Sequence, residues 1–219
     1  MRLRHVTLAT ADPDALRPFY AEALGLPVSD TADGFVVAVG RSALEFRATD
    51  QGDPCYHVAF SVPGDTADEA ADWLDDRAGL LAAADRTQFR YDFLDATAVY
   101  AGDPAGNVLE LLARDGREGP TDPFGPESLL DVGEIGITTS DVPWAADRLD
   151  RTFGLESDPR EEFAYVGGPA GAFVLATPGR EWFPTDRGAE IAPLSVVAEG
   201  GTGALSFAEG PVSVVGIGD

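Results

Sequence analysis

The chain of 219 residues contains no lysine, one cysteine, one methionine and only two histidines. A single cysteine excludes an intramolecular disulfide. No apolar run is long enough to cross a bilayer, and no signal-like segment opens the sequence, so we expect a cytoplasmic protein. The hydrophobic content of 44% is enough to bury a substantial core in one large or two small domains.

Negative charge dominates the composition. Acidic residues number 38 against 15 basic residues, all of them arginine, which gives a net charge of -23. Such a surface repels phosphate backbones and anionic headgroups, so nucleic acid and membrane partners are excluded. The acids are spread along the chain and form a solvated shell. Dense carboxylate without lysine predicts a halophilic protein from a high-salt cytoplasm, where counterions screen the repulsion.

The first half of the chain repeats one order of elements. A strand at 3–10 leads into a helix that starts at Asp12-Pro13, and two strands follow before residue 52. A second copy begins with a strand at 57–62 and a helix at about 66–77, and it closes with a strand at 108–113. Residues 1–114 are therefore predicted to form two βαβββ modules, 1–52 and 53–114, of an α+β fold.

The remainder repeats the pattern less completely. Residues 115–127 are rich in Gly, Pro and charge, as expected of a linker. A third unit opens with a strand at 134–139 and a helix that ends at Phe153, and a shortened fourth unit follows residue 191. We interpret residues 128–219 as a degenerate second domain.

Both histidines fall at the same place in their strands. His5 shares a strand face with Thr7, and His57 shares one with Ala59, because side chains alternate across a strand. By the same alternation, Glu45 and Glu110 each lie on the less apolar face of their strands. The two imidazoles and two carboxylates are therefore predicted to converge on one divalent metal.

Each predicted donor also has a simpler interpretation. A histidine can be a core or surface residue, and Glu45 can form an ion pair with Arg47 in so acidic a chain. Arg47 is a candidate for binding a substrate carboxylate, although a structural or surface role is favoured. Glu110 lies between apolar neighbours, where an unpaired carboxylate is costly, and this favours a metal role.

Residues 1–114 resemble the vicinal oxygen chelate superfamily, which includes glyoxalase I, bleomycin- and fosfomycin-resistance proteins and extradiol dioxygenases. The resemblance rests on the histidine-containing first strand, the Asp-Pro helix start, the strand YHVAF at 56–60 and the run DPAGNVLEL at 103–111. It implies paired modules that form cupped mixed sheets, with helices outside, around a divalent metal. The donors His5, Glu45, His57 and Glu110 are similar to the ligand pattern of glyoxalase I.

The second half departs from that pattern. Glu134 stands where the first two modules have histidine, and Phe173 takes the place of Glu45. We therefore expect one metal per chain, with residues 128–219 as a buttress that caps the pocket with Trp144, Trp182 or Phe183. Whether the cup closes within one chain or across a homodimer stays open.

The resemblance implies a metal-dependent lyase that isomerises a hemithioacetal through an enediolate. Glu110 would act as base and Glu45 as second carboxylate, on one Ni, Zn, Mn, Co or Fe(II) ion, with a low-molecular-weight thiol as cosubstrate. An extradiol dioxygenase with Fe(II) on His5, His57 and Glu110 is the alternative, although no histidine remains to assist dioxygen chemistry. A non-catalytic protein that binds a small molecule is the third possibility.

Overall fold

The computed structural model describes residues 1–207 and 212–218. Within them the chain forms three helices and fourteen strands. The helices are α1 Pro13–Pro18, continued by a π-helical turn Phe19–Ala23, α2 Ala67–Ala78 and α3 Val142–Phe153. The strands are β1 Arg2–Thr10, β2 Val28–Asp30, β3 Gly34–Val39, β4 Ser42–Ala48, β5 His57–Val62, β6 Gln88–Tyr91, β7 Ala96–Gly102, β8 Val108–Arg114, β9 Asp131–Thr138, β10 Phe163–Gly168, β11 Gly171–Ala176, β12 Leu194–Glu199, β13 Thr202–Phe207 and β14 Val212–Ile217.

The strands form two curled mixed sheets of seven strands each. The first sheet has the order β13-β14-β12-β1-β4-β3-β2, and the second has the order β10-β11-β9-β5-β8-β7-β6. In each sheet the opening strand of a module runs parallel to that module's last strand, β1 with β4 and β5 with β8. The predicted α+β fold of paired βαβββ modules is confirmed.

Local sequence explains where the helices begin and end. The Asp12 side chain accepts a hydrogen bond from the backbone nitrogen of Ala15 at the start of α1, and Asp141 does the same for Trp144 in α3. Helix α3 ends at Gly154, whose φ of 62° is the left-handed conformation that glycine adopts at little cost. In the described part of the chain, no helix is long and apolar enough to cross a membrane.

The larger of two apolar clusters lies between the sheets and helices. It contains Val6 and Leu8 of β1 together with Val58 and Phe60 of β5. Because side chains alternate along a strand, their neighbours, including His57, point to the other face of each sheet. The two histidine-bearing faces are thus directed away from the core that the sheets share.

Strand pairing joins elements on either side of the predicted division into domains 1–114 and 128–219. Strand β1 pairs with β12 of the C-terminal unit, Thr7 opposite Ser195, and β5 pairs with β9, Ala59 opposite Glu134. The first module therefore shares a sheet with the fourth unit, and the second module shares one with the third. Alternation fixes the face that a strand shows to the core, but it does not fix the strand that pairs with each edge.

The predicted linker 115–127 carries no helix or strand apart from the start of a short 3-10 turn at Pro126–Ser128. It is nevertheless anchored, because Arg117 donates to the carbonyl of Pro169 at 2.8 Å and to Asp131. Within the predicted second domain, residues 208–211 and 219 lie outside the described residues.

Candidate functional site

His5 and Glu45 form a pair on the first sheet. The Nε2 atom of His5 lies 2.7 Å from Oε2 of Glu45, which also accepts from the Thr7 hydroxyl at 3.2 Å. The other carboxylate oxygen accepts from Nε of Arg47 at 2.7 Å. Burial opposes the charge on Glu45, yet the hydrogen bonds from Arg47 and His5 prevail and lower its pKa.

Arg47 forms an ion pair with another residue of the same sheet. Its side chain is 54% exposed and pairs with the buried Glu45, which confirms the ion pair weighed in the sequence analysis. A depression of about 270 Å³ beside it is lined by Thr7, Arg47 and Ser195, among others. Arg47 as a receptor for a substrate carboxylate stays a prediction.

His57 and Glu110 form the corresponding pair on the second sheet. His57 Nε2 lies 2.9 Å from Oε2 of Glu110, and both side chains are buried. The Trp182 ring stacks on the imidazole at 5.5 Å with an angle of 20° between the planes. The Tyr100 hydroxyl also hydrogen bonds to Glu110, and burial raises the pKa of Tyr100.

A second buried carboxylate lies in the same row of the sheet. Ala59 is the cross-strand partner of both Glu110 on β8 and Glu134 on β9. Glu134 Oε1 accepts from Arg114 Nη2 at 2.5 Å and from the Tyr165 hydroxyl at 3.1 Å. Burial, reinforced by the charge of Glu110, raises the pKa of Glu134 to about 7 although Arg114 opposes the shift.

The structure places the four predicted donors in two pairs. His5 and Glu45 belong to the first sheet, whereas His57 and Glu110 belong to the second. Across residues 1–207 and 212–218, no three or more His, Cys, Asp or Glu side chains are grouped as a metal centre requires. Each module carries its own histidine and glutamate, as the alternation predicted, but the modules that bear them do not share a sheet.

Each pair thus offers a divalent ion one imidazole and one carboxylate, already hydrogen bonded to each other. Two ligands about 2.1 Å from one ion and at right angles lie about 3 Å apart, close to the separation of His57 Nε2 and Glu110 Oε2. The third potential donor on the second sheet, the Glu134 carboxylate, is already paired with the guanidinium of Arg114. A fixed cation at that place disfavours a second one, so the donor set does not fit the expected metal centre.

The second sheet bears a cavity of about 500 Å³ on its polar face. Eight of the lining side chains are aromatic, and the charged ones are arginine and glutamate. It is called the cavity below, and its lining residues are His57, Arg86, Phe89, Arg90, Tyr91, Phe93, Leu94, Tyr100, Glu110, Glu134, Phe163, Tyr165, Val174, Arg180, Trp182 and Phe183. Of the three aromatic residues predicted to cap a pocket, Trp182 and Phe183 line this cavity, whereas Trp144 lies on α3, 44% exposed and beside Phe207.

Arg114 was missed by sequence reasoning, although a signal for it exists. It ends strand β8, and alternation places it on the same face as Glu110, two positions beyond Leu112. A buried arginine on that face requires an acidic partner. In the sequence, its partner Glu134 stands out only because the first two modules have histidine at that position. Arg86 and Arg180 carry no signal because they lie outside the repeated motifs.

Residues 5–112 match the sequence profile of a family described as glyoxalase-like domain. No curated protein matches the chain. A Bacillus subtilis protein whose name suggests a dioxygenase shares the fold over 100% of this chain and 85% of its own, with a TM-score of 0.66 and 15% identity. Glyoxalase I from Zea mays matches over 90% of this chain and 74% of its own, with a TM-score of 0.53 and 15% identity. At these identities the structural likeness establishes the fold alone.

Proposed function

Because the chain carries a glyoxalase-like domain of the vicinal oxygen chelate superfamily over residues 5–112, we propose that it binds a planar small molecule in the cavity of the second sheet. Binding does not depend on the four-donor metal centre that the sequence predicted. The observation that carries this proposal is a cavity of about 500 Å³ walled by eight aromatic side chains. Pockets of this volume suit small organic ligands.

The aromatic wall is held in place by its own contacts. Phe183 packs edge to face against Phe89 at 4.8 Å and against Tyr100 at 5.6 Å. Opposite them, Phe93 meets Tyr165 at 6.0 Å in the same manner. Such contacts stabilise one arrangement of the rings, so a flat ligand meets a preformed surface and little entropy is lost on ordering it.

The segment 177–193, hereafter the covering segment, contributes Arg180, Trp182 and Phe183 to the lining of the cavity. Its backbone is tied by hydrogen bonds from Gly179 to Ala189 and from Trp182 to Arg187, at 2.8 and 2.9 Å. Arg187 in turn donates to the carbonyl of Gly106 at 3.0 Å, which fixes the segment to the turn before β8. The segment therefore supplies ring surface where a ligand would bind.

A metal-dependent lyase acting on a hemithioacetal is the second candidate. It is favoured by the family and by the His57–Glu110 separation of 2.9 Å, which suits two neighbouring ligands of one ion. It requires a third donor, and Glu134 is held by Arg114. The dioxygenase alternative needs His5 and His57 at one ion, and these belong to different sheets.

Fluorescence titration tests the first candidate, with methyl 6-hydroxy-2-naphthoate as a planar probe in high salt and EDTA. We expect saturable binding of one probe per chain. Phe183→Ala should weaken it about tenfold through loss of apolar contact, while Trp144→Ala, which removes an exposed ring outside the cavity, should leave it unchanged.

Binding that appears only with added divalent metal, or that falls equally in both variants, would overturn the proposal. Assay of methylglyoxal with thiols in the presence of Ni, Zn, Mn, Co or Fe(II) distinguishes the second candidate. Stoichiometric metal and turnover that are both lost in His57→Ala would establish it.

A further inference from the structure

The cavity differs in charge from the rest of the molecule. Its lining contains three arginines and two glutamates, a formal charge of +1 with His57 neutral, in a chain of net charge -23. Both glutamates are occupied within the protein, Glu110 by His57 and Glu134 by Arg114. Positive charge on a concave wall concentrates field lines and attracts an anion.

Arg86 and Arg180 are the lining arginines available to bind that anion. The guanidinium of Arg180 lies 4.5 Å from the centre of the Phe163 ring, and that of Arg86 lies 5.8 Å from the Phe89 ring. Among the described residues neither forms a salt bridge, whereas Arg90, the third, pairs with Asp115 at 2.8 Å. Stacking on a ring holds a guanidinium in place and leaves its N–H donors for a ligand.

Two buried polar atoms of the lining lack partners in the described structure. They are Nδ1 of His57 and Nε1 of Trp182, whose rings stack on each other. The indole nitrogen is a donor, and an imidazole nitrogen donates or accepts according to its tautomer. Because solvent reaches neither atom, they do not define a place for a polar group of the ligand.

The positive region is narrow. A groove that adjoins Arg180 is also lined by Arg160 and by four acidic residues, so its formal charge is negative. The acidic residues are Glu156, Asp158, Glu161 and Glu162. A ligand with several negative charges would extend toward these carboxylates and be repelled, whereas a single anionic group can stay beside the arginines. The surroundings thus favour a monoanion over a nucleotide or other polyanion.

We propose that the ligand is a planar aromatic monoanion, with its acidic group beside Arg86 and Arg180 and its rings against the aromatic wall. This inference rests on the proposed function, because it specifies the ligand of the same cavity.

Matched probes test the charge requirement. Wild-type protein is titrated with 6-hydroxy-2-naphthoate, with its neutral methyl ester and with the cation 2-naphthylmethylamine, all at one salt concentration. A charge-assisted hydrogen bond to the carboxylate predicts that the acid binds roughly ten- to hundredfold more tightly than the ester. The amine should bind more weakly than the ester.

The double variant Arg86→Gln/Arg180→Gln should lower the ratio of acid affinity to ester affinity to about one. The control Arg148→Gln/Arg151→Gln changes the net charge equally on α3, which contributes no lining residue, and should keep the preference. Equal affinity for acid and ester in the wild type, or a preference for the acid that persists in Arg86→Gln/Arg180→Gln, would overturn the inference. Saturable binding of the ester in the same titrations would still uphold the proposed function. Failure of all three probes would overturn both.

Discussion

Removal of Arg114 should destabilise the protein strongly, because it would leave a buried carboxylate without its partner. Arg114 and Glu134 are 5% and 3% exposed, and Arg114 also donates to the Tyr165 hydroxyl at 2.7 Å. Breaking a buried pair from one side costs about 3 to 5 kcal/mol. We expect Arg114→Met to lower the free energy of unfolding by about 3 kcal/mol or more at pH 8, measured by urea titration at constant salt.

The pH dependence of Glu134 provides a second, independent measurement. Its pKa in the folded protein is raised from the ordinary 4.5 to about 7, so the folded state binds the proton more tightly than the unfolded state. Its contribution to stability is therefore full below about pH 4.5 and is lost as the pH rises through 7. That loss amounts to about 3 kcal/mol. Glu134→Gln, which cannot titrate, should lack it, so the stability difference between the two proteins should change by this amount between pH 4.5 and 8.

An exposed pair serves as the control. Arg17 pairs with Asp30, whose side chain is 71% exposed, and Arg17→Met should cost below about 1 kcal/mol. The double variant Arg114→Met/Glu134→Gln should recover much of the stability lost in Arg114→Met, because the orphaned charge is gone. A cost for Arg114→Met no larger than that of the control, or a double variant as unstable as the single one, would refute the reasoning.

Three further outcomes are expected. A Cβ at residue 136 would lie 2.7 Å from Cη2 of Trp182, so Gly136→Ala should displace that ring, shift tryptophan fluorescence and weaken probe binding. Gly102→Ala, where a Cβ meets nothing within 4 Å, should do neither, and equal effects would count against this account of the wall. Burial raises the pKa of Tyr56 to about 12, so the stability that this residue contributes in full below pH 10 is lost as the pH rises through 12. In urea unfolding, the wild type should lose about 3 kcal/mol more than Tyr56→Phe over that pH range. Parallel stability curves for the two proteins would contradict this. With a net charge of -23, unfolding should require markedly more denaturant in molar salt, and a flat response would refute the halophilic interpretation.

Apolar residues that recur every two positions in strands and every 3.6 positions in helices predicted the elements and the faces that they bury. The strand at 57–62 and the helix start at Asp12 lie where the sequence placed them. Glu110 faces away from the core that holds Leu109 and Leu111, as alternation required. The sequence did not reveal the short strand β2, which has only three residues and two exposed side chains, because so few residues carry no periodic signal.

The pairing of modules could not be predicted in the same way. Strands β5 and β9 are buried on both faces, and such strands offer similar backbone edges to any neighbour. The pairing of β1 with β12 joins residues nearly two hundred positions apart in the chain. Arg114 and Glu134 are likewise joined only by this pairing, since β8 and β9 both flank β5.

The two sheets carry the same kind of pair, yet only one of them carries the cavity. Strands β4-β1-β12 repeat the arrangement of β8-β5-β9, and His5–Glu45 corresponds to His57–Glu110. The difference lies above the pairs, because the segment 177–193 brings Trp182 and Phe183 over the second sheet, whereas Arg47 on the first sheet is 54% exposed. Repeated strand positions therefore predict repeated geometry, but they do not determine which pair meets a ligand. That choice is made by the covering segment, which lies outside the repeat. The His57 side chain on the second sheet is 8% exposed, against 38% for His5 on the first, so the interactions of a ligand with the second pair are less screened by water.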